Sequence, residues 1–262
     1  MQLNHCGGAT LFFYSSICPY IAGCDESIWS YYKDYSHLSM NQCVQKDNTD
    51  TFGSLLYHLD DNNAFPERAA VAGPGYWNDM DMLMVGYKEL KEWENPQTLQ
   101  EYRSQMSLFA VLAAPLLFSA DIRGTQNGTF VGHDGVRHST FNGWTDELET
   151  ILLNPDVIAV NQDRLGKQGV LTKGNASGPI QLYARELEGG ALAVAVFNRG
   201  EENVTGLHVP WVDVGLPAGK KVSAVRDLWA NKPPPMSGVR ADGLVLGLVE
   251  KHDTALLRLE IA

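Results

Sequence analysis

The sequence predicts an α/β unit built on a parallel sheet, followed by a small antiparallel β domain. Two observations carry this expectation. Across residues 10–165 short apolar runs alternate with amphipathic segments, and strand alternating with helix gives a parallel sheet. After about residue 168 the texture changes to short strands joined by Gly-rich turns, which suits an antiparallel domain. With 262 residues and 44% hydrophobic content, the chain can bury a sizeable core, as one large domain or as a domain with a small companion.

In chain order, "TLFFYS" (10–15) is the first strand candidate, "WNDMDMLMV" (77–85) the second and "PLLFSAD" (115–121) the third. Gly73-Pro74-Gly75 precedes the second as a turn, because Pro74 presets φ and Gly75 can take the positive φ of a type II turn. Alternation along that strand would put Asp79 and Asp81 on one face and Met80, Met82 and Met84 on the other. Two carboxylates facing one way are costly to bury without a use. A helix is expected next, with Pro96 in its first turn and Leu99, Tyr102, Met106, Phe109 and Ala113 on one stripe. "TDELETILL" (145–153) repeats the pattern, with Thr145 as N-cap. The boundary falls near "NQDRLGKQG", giving units 1–168 and 169–262. Beyond it, residues 181–185, the Gly189-Gly190 turn, residues 191–197, "KKVSAVRDLWA", "GLVLGLV" and "TALLRLEI" read as strands and turns, and Pro233-Pro234-Pro235 marks an exposed loop.

A net charge of −11 without a basic patch argues against nucleic acid and anionic membranes, whereas a neutral partner such as a sugar fits. The longest apolar run, residues 106–120, is shorter than a membrane span and is interrupted by Pro115. The first ten residues lack Lys and Arg, so the apolar stretch before Cys24 is not read as a signal peptide. Four cysteines, Cys6, Cys18, Cys24 and Cys43, form no Cys-x-x-Cys pair. With the sequons at Asn127, Asn175 and Asn203, they favour the secretory pathway: extracellular, vacuolar or lysosomal.

Three motifs then follow in order, "VAGPGYWNDMDMLMVG", "QMSLFAVLAAPLLFSADIR" and "NPDVIAVNQDRLGKQG", with "VAVFNRG" and "VRDLWA" later. Their succession resembles the α-galactosidases and α-N-acetylgalactosaminidases of glycoside hydrolase family 27. The resemblance implies the C-terminal half of a (β/α)8 TIM barrel as a partial catalytic barrel, followed by an antiparallel β-sandwich domain. It implies retaining hydrolysis of terminal α-galactosides, small or oligosaccharide, without metal or cofactor. One Asp attacks the anomeric carbon while another protonates the leaving oxygen and later activates water, the two carboxyl groups being about 5 to 5.5 Å apart.

Carried over residue by residue, Asp81 matches the second acid of the family's Trp-Asn-Asp-Pro-Asp motif, which binds sugar hydroxyls, with Met82 beside it; Asp79 supports the site. The family's Pro between the acids is Met80 here. Lys46, Asp50 and Ser54 stand at the offsets of the family's Arg, acid/base Asp and Ser, so Asp50 is the implied acid/base, with Asp34 and Asp47 as competitors. Lys46, a point charge in place of an Arg fork, would contact the sugar differently. Cys18 and Cys43 resemble the family's disulfide pair, and Pro19-Tyr20 replaces its Glu-Trp, leaving galactose against N-acetylgalactosamine open. The nucleophile's Lys-Tyr-Asp-Asn-Cys-like motif has no counterpart in the sequence. A half barrel with open strand edges would favour homo-oligomers.

Other readings stand beside these. Asp79 and Asp81 could be solvated acids of a capped turn, or the metal-binding pair of a nucleotide-sugar glycosyltransferase. The chain could also be a non-catalytic sugar-binding or interaction protein, or a truncated remnant or pseudoenzyme. The methionine stripe suits core packing. Trp29, Tyr31, Tyr32 and Tyr35 suit either sugar stacking or packing, and His58, His133 and His138 are expected at the surface without partners.

Overall fold

The structure, a computed structural model, describes residues 52–85, 97–118, 129–131, 137–139, 146–175, 178–229 and 238–262. The expected strand at 10–15, the pair Cys18 and Cys43, and Lys46 and Asp50 lie outside the described residues, as do Pro96, Thr145 and Pro233 to Pro235.

Helix α1 (Phe52–Ala64) buries Phe52, Leu55, Leu59 and Asn62, a stripe at helical spacing, and α2 (Glu67–Val71) follows it. The expected turn is present: Tyr76 N donates to Gly73 O at 2.8 Å and Gly75 has φ +90°. The segment after it is not the regular strand predicted. Asp81 has φ +72°, which breaks the alternation of faces, and among the described residues its pairing is one parallel bridge between Leu83 and Phe118, where Leu83 N donates to Leu117 O at 2.8 Å. The third strand candidate is likewise reduced to this bridge among the described residues.

Helix α3 (Leu99–Val111) starts later than Pro96 suggests, because Thr98 and Glu101 form a reciprocal capping box. Thr98 N donates to Glu101 Oε2 at 2.7 Å, and Glu101 N donates to Thr98 Oγ1 at 3.2 Å. The predicted single stripe is also corrected: Tyr102 and every residue from Ser104 to Val111 are buried, while Leu99 is 43% exposed and Ala113, at φ +55°, lies past the helix. A helix buried all round is an internal strut, not a surface helix. A short hairpin, β1 (Thr129–Val131) with β2 (Arg137–Ser139), then α4 (Asp146–Leu152) and α5 (Pro155–Asn161) complete this part. In α5, Pro155 occupies the first turn and Asn154 caps it, its Oδ1 accepting from Asp156 N and Val157 N.

The second part is a β sandwich. Strands β3 (Val170–Lys173), β4 (Ile180–Glu186), β5 (Leu192–Asn198), β7 (Val222–Asp227) and β9 (Thr254–Ile261) form one antiparallel sheet, ordered β3-β4-β5-β9-β7. Strands β6 (Val204–Pro210) and β8 (Gly243–Val249) form the other. The β4–β5 turn uses Gly189 and Gly190 at φ +81° and +84°, as the Gly pair predicts.

Strand β5 is buried along its whole length, and its two faces serve two cores. Leu192, Val194 and Val196 join Leu244, Leu246 and Leu257 between the sheets. Ala193, Ala195 and Phe197 face the helical part, with Tyr183, Leu256, Phe109 and Leu112. The sheet is therefore the middle layer of three.

The β8–β9 connection crosses between the two sheets and carries Asp253, whose Oδ2 accepts from Arg103 Nη2 of α3. Burial outweighs that arginine and raises the Asp253 carboxyl to about 6. A carboxyl raised above its unfolded value binds the extra proton in the folded state, so its stabilisation is complete below about pH 4 and is lost as pH rises through about 6. Asp253→Asn should remove this slope. Urea midpoints of wild type minus variant should fall between pH 4 and pH 7, by up to about 3 kcal/mol in unfolding free energy.

Candidate functional site

The acid loop, residues 77–85, is fixed by backbone donors and one glutamine. Asp79 Oδ1 accepts from Asp81 N at 2.9 Å, and Asp81 Oδ1 accepts from Met82 N at 2.8 Å. These local bonds hold Asp81 in the left-handed region that a short polar side chain tolerates. Gln105 of α3 donates to Met82 O at 3.2 Å and accepts from Met84 N at 2.9 Å, so a side-chain amide replaces a neighbouring strand. Met80 and Met84 are buried beneath the loop, whereas Asp79, Asp81 and Met82 are half-buried. The core role expected for the methionines holds for those two, and Met82 lies beside Asp81 on the more open side.

His58, expected at the surface without a partner, is instead 12% exposed in its side chain, and its Nε2 lies 3.6 Å from Asp81 Oδ2. The sequence carries a signal for this: His58 follows the buried Leu55 by three positions on α1. The loop thus brings Asp79, Asp81, Met82 and His58 together. An ionised Asp81 with one oxygen on a backbone N–H still has acceptor capacity for hydroxyl donors. Asp50 precedes α1 by two residues in the sequence, and α1 is the helix that carries His58. No group of three or more His, Cys, Asp or Glu residues suited to a metal ion occurs among the described residues.

A polar belt ties α1 and the acid loop to the β sandwich. Asp60 accepts a two-pronged bond from Arg199 Nη1 and Nη2, which raises the arginine pKa further. Asn63 Nδ2 donates to Tyr183 OH at 2.8 Å, and that hydroxyl donates to Gln181 Oε1 at 3.0 Å; burial pushes the Tyr183 pKa well up. Asn78, beside the acids, donates to Gln168 Oε1, whose amide reaches Asn62 Oδ1 at 3.2 Å. Gln105, Gln168 and Asn78 were not singled out from sequence, because nothing in their local pattern indicates partners so distant in the chain.

Comparison with known proteins is consistent with this architecture. Residues 2–130 match the sequence profile described as "Alpha galactosidase A", and residues 177–259 match "Alpha galactosidase C-terminal beta sandwich domain". The chain is 35% identical to an α-galactosidase of Oryza sativa subsp. japonica over 207 residues, covering 79% of this chain and 40% of that protein. It is similar in structure to α-galactosidase I from Mortierella vinacea, with TM-score 0.55 and 25% identity over 73% of this chain and 42% of the other. It shares the fold of a Saccharomyces cerevisiae α-galactosidase solved with raffinose, with TM-score 0.54 and 19% identity over 78% of this chain and 51% of the other.

The chain belongs to the α-galactosidase family of glycoside hydrolases, family 27. It comprises part of the family's catalytic domain and the C-terminal antiparallel β sandwich. It spans 32 to 40% of the length of the first curated relatives it matches.

The belt predicts a mechanical coupling between the two parts. Asp60→Ala should lower unfolding stability by about 1 to 3 kcal/mol, since it leaves the part-buried Arg199 without its carboxylate. Denaturant titration followed by tryptophan fluorescence would measure this.

Proposed function

We propose that this chain serves the retaining hydrolysis of terminal α-D-galactosides, with Asp50 as acid/base and Asp81 as a sugar-hydroxyl acceptor. The observation that carries the reading is the acid loop: within a family 27 sequence, Asp81 is half-buried and held by its own backbone beside Met82. Asp50 first protonates the glycosidic oxygen and then takes the proton of the attacking water. Lys46 and Met82 are assigned sugar-contacting roles from the family resemblance. The double displacement also needs a nucleophilic carboxylate, and the family's motif for it is not found in the 262 residues.

The supporting architecture is the C-terminal half of a (β/α)8 barrel, for which the parallel Leu83–Phe118 bridge is the local support. The exchange of the family's Glu-Trp for Pro19-Tyr20 keeps α-N-acetylgalactosaminides as alternative substrates. A Cys18–Cys43 bridge and glycans at the sequons would accompany a secretory location. A second reading, sugar binding without turnover, rests on the same half-buried Asp81.

The test is release of a chromophore from aryl α-galactoside and aryl α-N-acetylgalactosaminide, beside galactose binding by calorimetry. Turnover reduced at least about 100-fold by Asp50→Asn supports the acid/base assignment. Turnover indifferent to Asp50→Asn transfers the role to Asp34 or Asp47. Galactose binding abolished by Asp81→Asn, without turnover in wild type, selects the binding protein.

A further inference from the structure

Among the described residues outside the acid loop, an ionisable cluster surrounds His252, on the β8–β9 crossover. Its backbone has φ +60°, a strained conformation for a residue other than Gly, and its carbonyl accepts from Ser104 Oγ at 2.6 Å. Its ring is 14% exposed and is contacted at both nitrogens. Nδ1 lies 2.7 Å from Glu101 Oε1, and Nε2 lies 3.1 Å from Glu201 Oε1 on the β5–β6 connection. The ring face stacks on Phe52, with centroids 4.4 Å apart and planes at 27°. Phe52 is the first residue of α1, and it also meets Phe197 edge-on.

A neutral imidazole has one N–H and one lone pair, whereas an ionised carboxylate only accepts. Two carboxylates on the two ring nitrogens are satisfied together only by the imidazolium. Glu101 accepts the Thr98 N–H of the α3 cap on its other oxygen. Glu201 is kept ionised by His252 and by Lys251, whose Nζ is 3.6 Å away, and its pKa is accordingly lowered. The other charged groups nearby, Asp253 and Glu250 on the same crossover, are turned to Arg103 of α3. From α1, the facing group is the uncharged Phe52.

We infer that His252 is a charged clamp: as an imidazolium bridging Glu101 and Glu201, it holds its ring against Phe52 and pins the start of α1. It is a positioning residue, not a catalytic one. Its relevance to catalysis rests on the Asp50 reading, since the pinned helix end lies two residues after Asp50.

The test uses the whole chain and no galactoside, so it stands or falls separately from the Asp50 assignment. His252→Asn keeps a residue that tolerates the left-handed backbone while removing the ring. Urea midpoints, compared at one pH, should lie lower in the variant than in wild type, and the same order should hold in an Asp253→Asn background. Ring 15N shifts of wild type should show a proton on both nitrogens of His252. Amide exchange of residues 56–59, corrected for intrinsic rates and compared at one pH, should be faster in the variant than in wild type. Equal midpoints, a ring with one unprotonated nitrogen, or α1 exchange equal in the two proteins would overturn the clamp.

Discussion

Burying α3 on every side is the constraint on which the structure depends. A helix removed from water must have its end groups satisfied by protein, or each orphan amide and carbonyl costs stability. At its N-terminus the Thr98–Glu101 box meets this need. At its C-terminus Asn161 Nδ2 donates to Phe109 O at 3.1 Å and Ala114 O at 2.8 Å, and Arg185 Nη1 donates to Ala110 O at 2.7 Å. Arg185 is 1% exposed, and burial pulls its pKa down while Asp163 opposes the shift. Its Nε and Nη2 have no hydrogen-bond partner among the described residues. A guanidinium is thus held in the core for the two carbonyls it bridges, that of Ala110 and, at 3.2 Å, that of Asn161.

This constraint explains why the motifs that carry the family resemblance lie where they do. In "VAVFNRG", Phe197 enters the core, Asn198 Nδ2 satisfies the carbonyls of Glu202, Val249 and Glu250, and Arg199 grips Asp60. Gly200 has no room for a side chain, since a Cβ would lie 2.8 Å from Pro179 Cβ. In "VRDLWA", Arg226 pairs with Asp156, the Leu228 carbonyl accepts from Asn154, and Trp229 Nε1 donates to Ser107. "NQDRLGKQG" is no loose linker: Gly169 N donates to Val111 O at 2.9 Å, and a Cβ on Gly169 would sit 2.5 Å from that oxygen. Much of what looks like a signature of activity is the surface on which the catalytic part docks to the sandwich.

The acid loop shows the same division. Its place after a Gly-Pro-Gly turn, the burial of Met80 and Met84 and the partial exposure of the acids follow from local chemistry. Its conformation does not, because Asp81 leaves the β region and the supporting bonds come from Gln105, residues away on another helix. Alternation predicts a strand only where a neighbouring strand supplies the ladder; here one parallel bridge and a glutamine amide supply it.

The sequence by itself determined the helices near residues 99 and 146, the β-rich second part with its Gly189-Gly190 turn, the turn before the acids and the family, because turn chemistry, periodicity and motif succession are local properties of the chain. Tertiary structure decided that α3 is an internal strut, that Asp81 takes a positive φ beside His58, and that His252 lies between two glutamates. Each of these depends on groups far apart in sequence meeting where water is excluded. There a single carboxylate, amide or imidazole contributes far more than its residue type reveals.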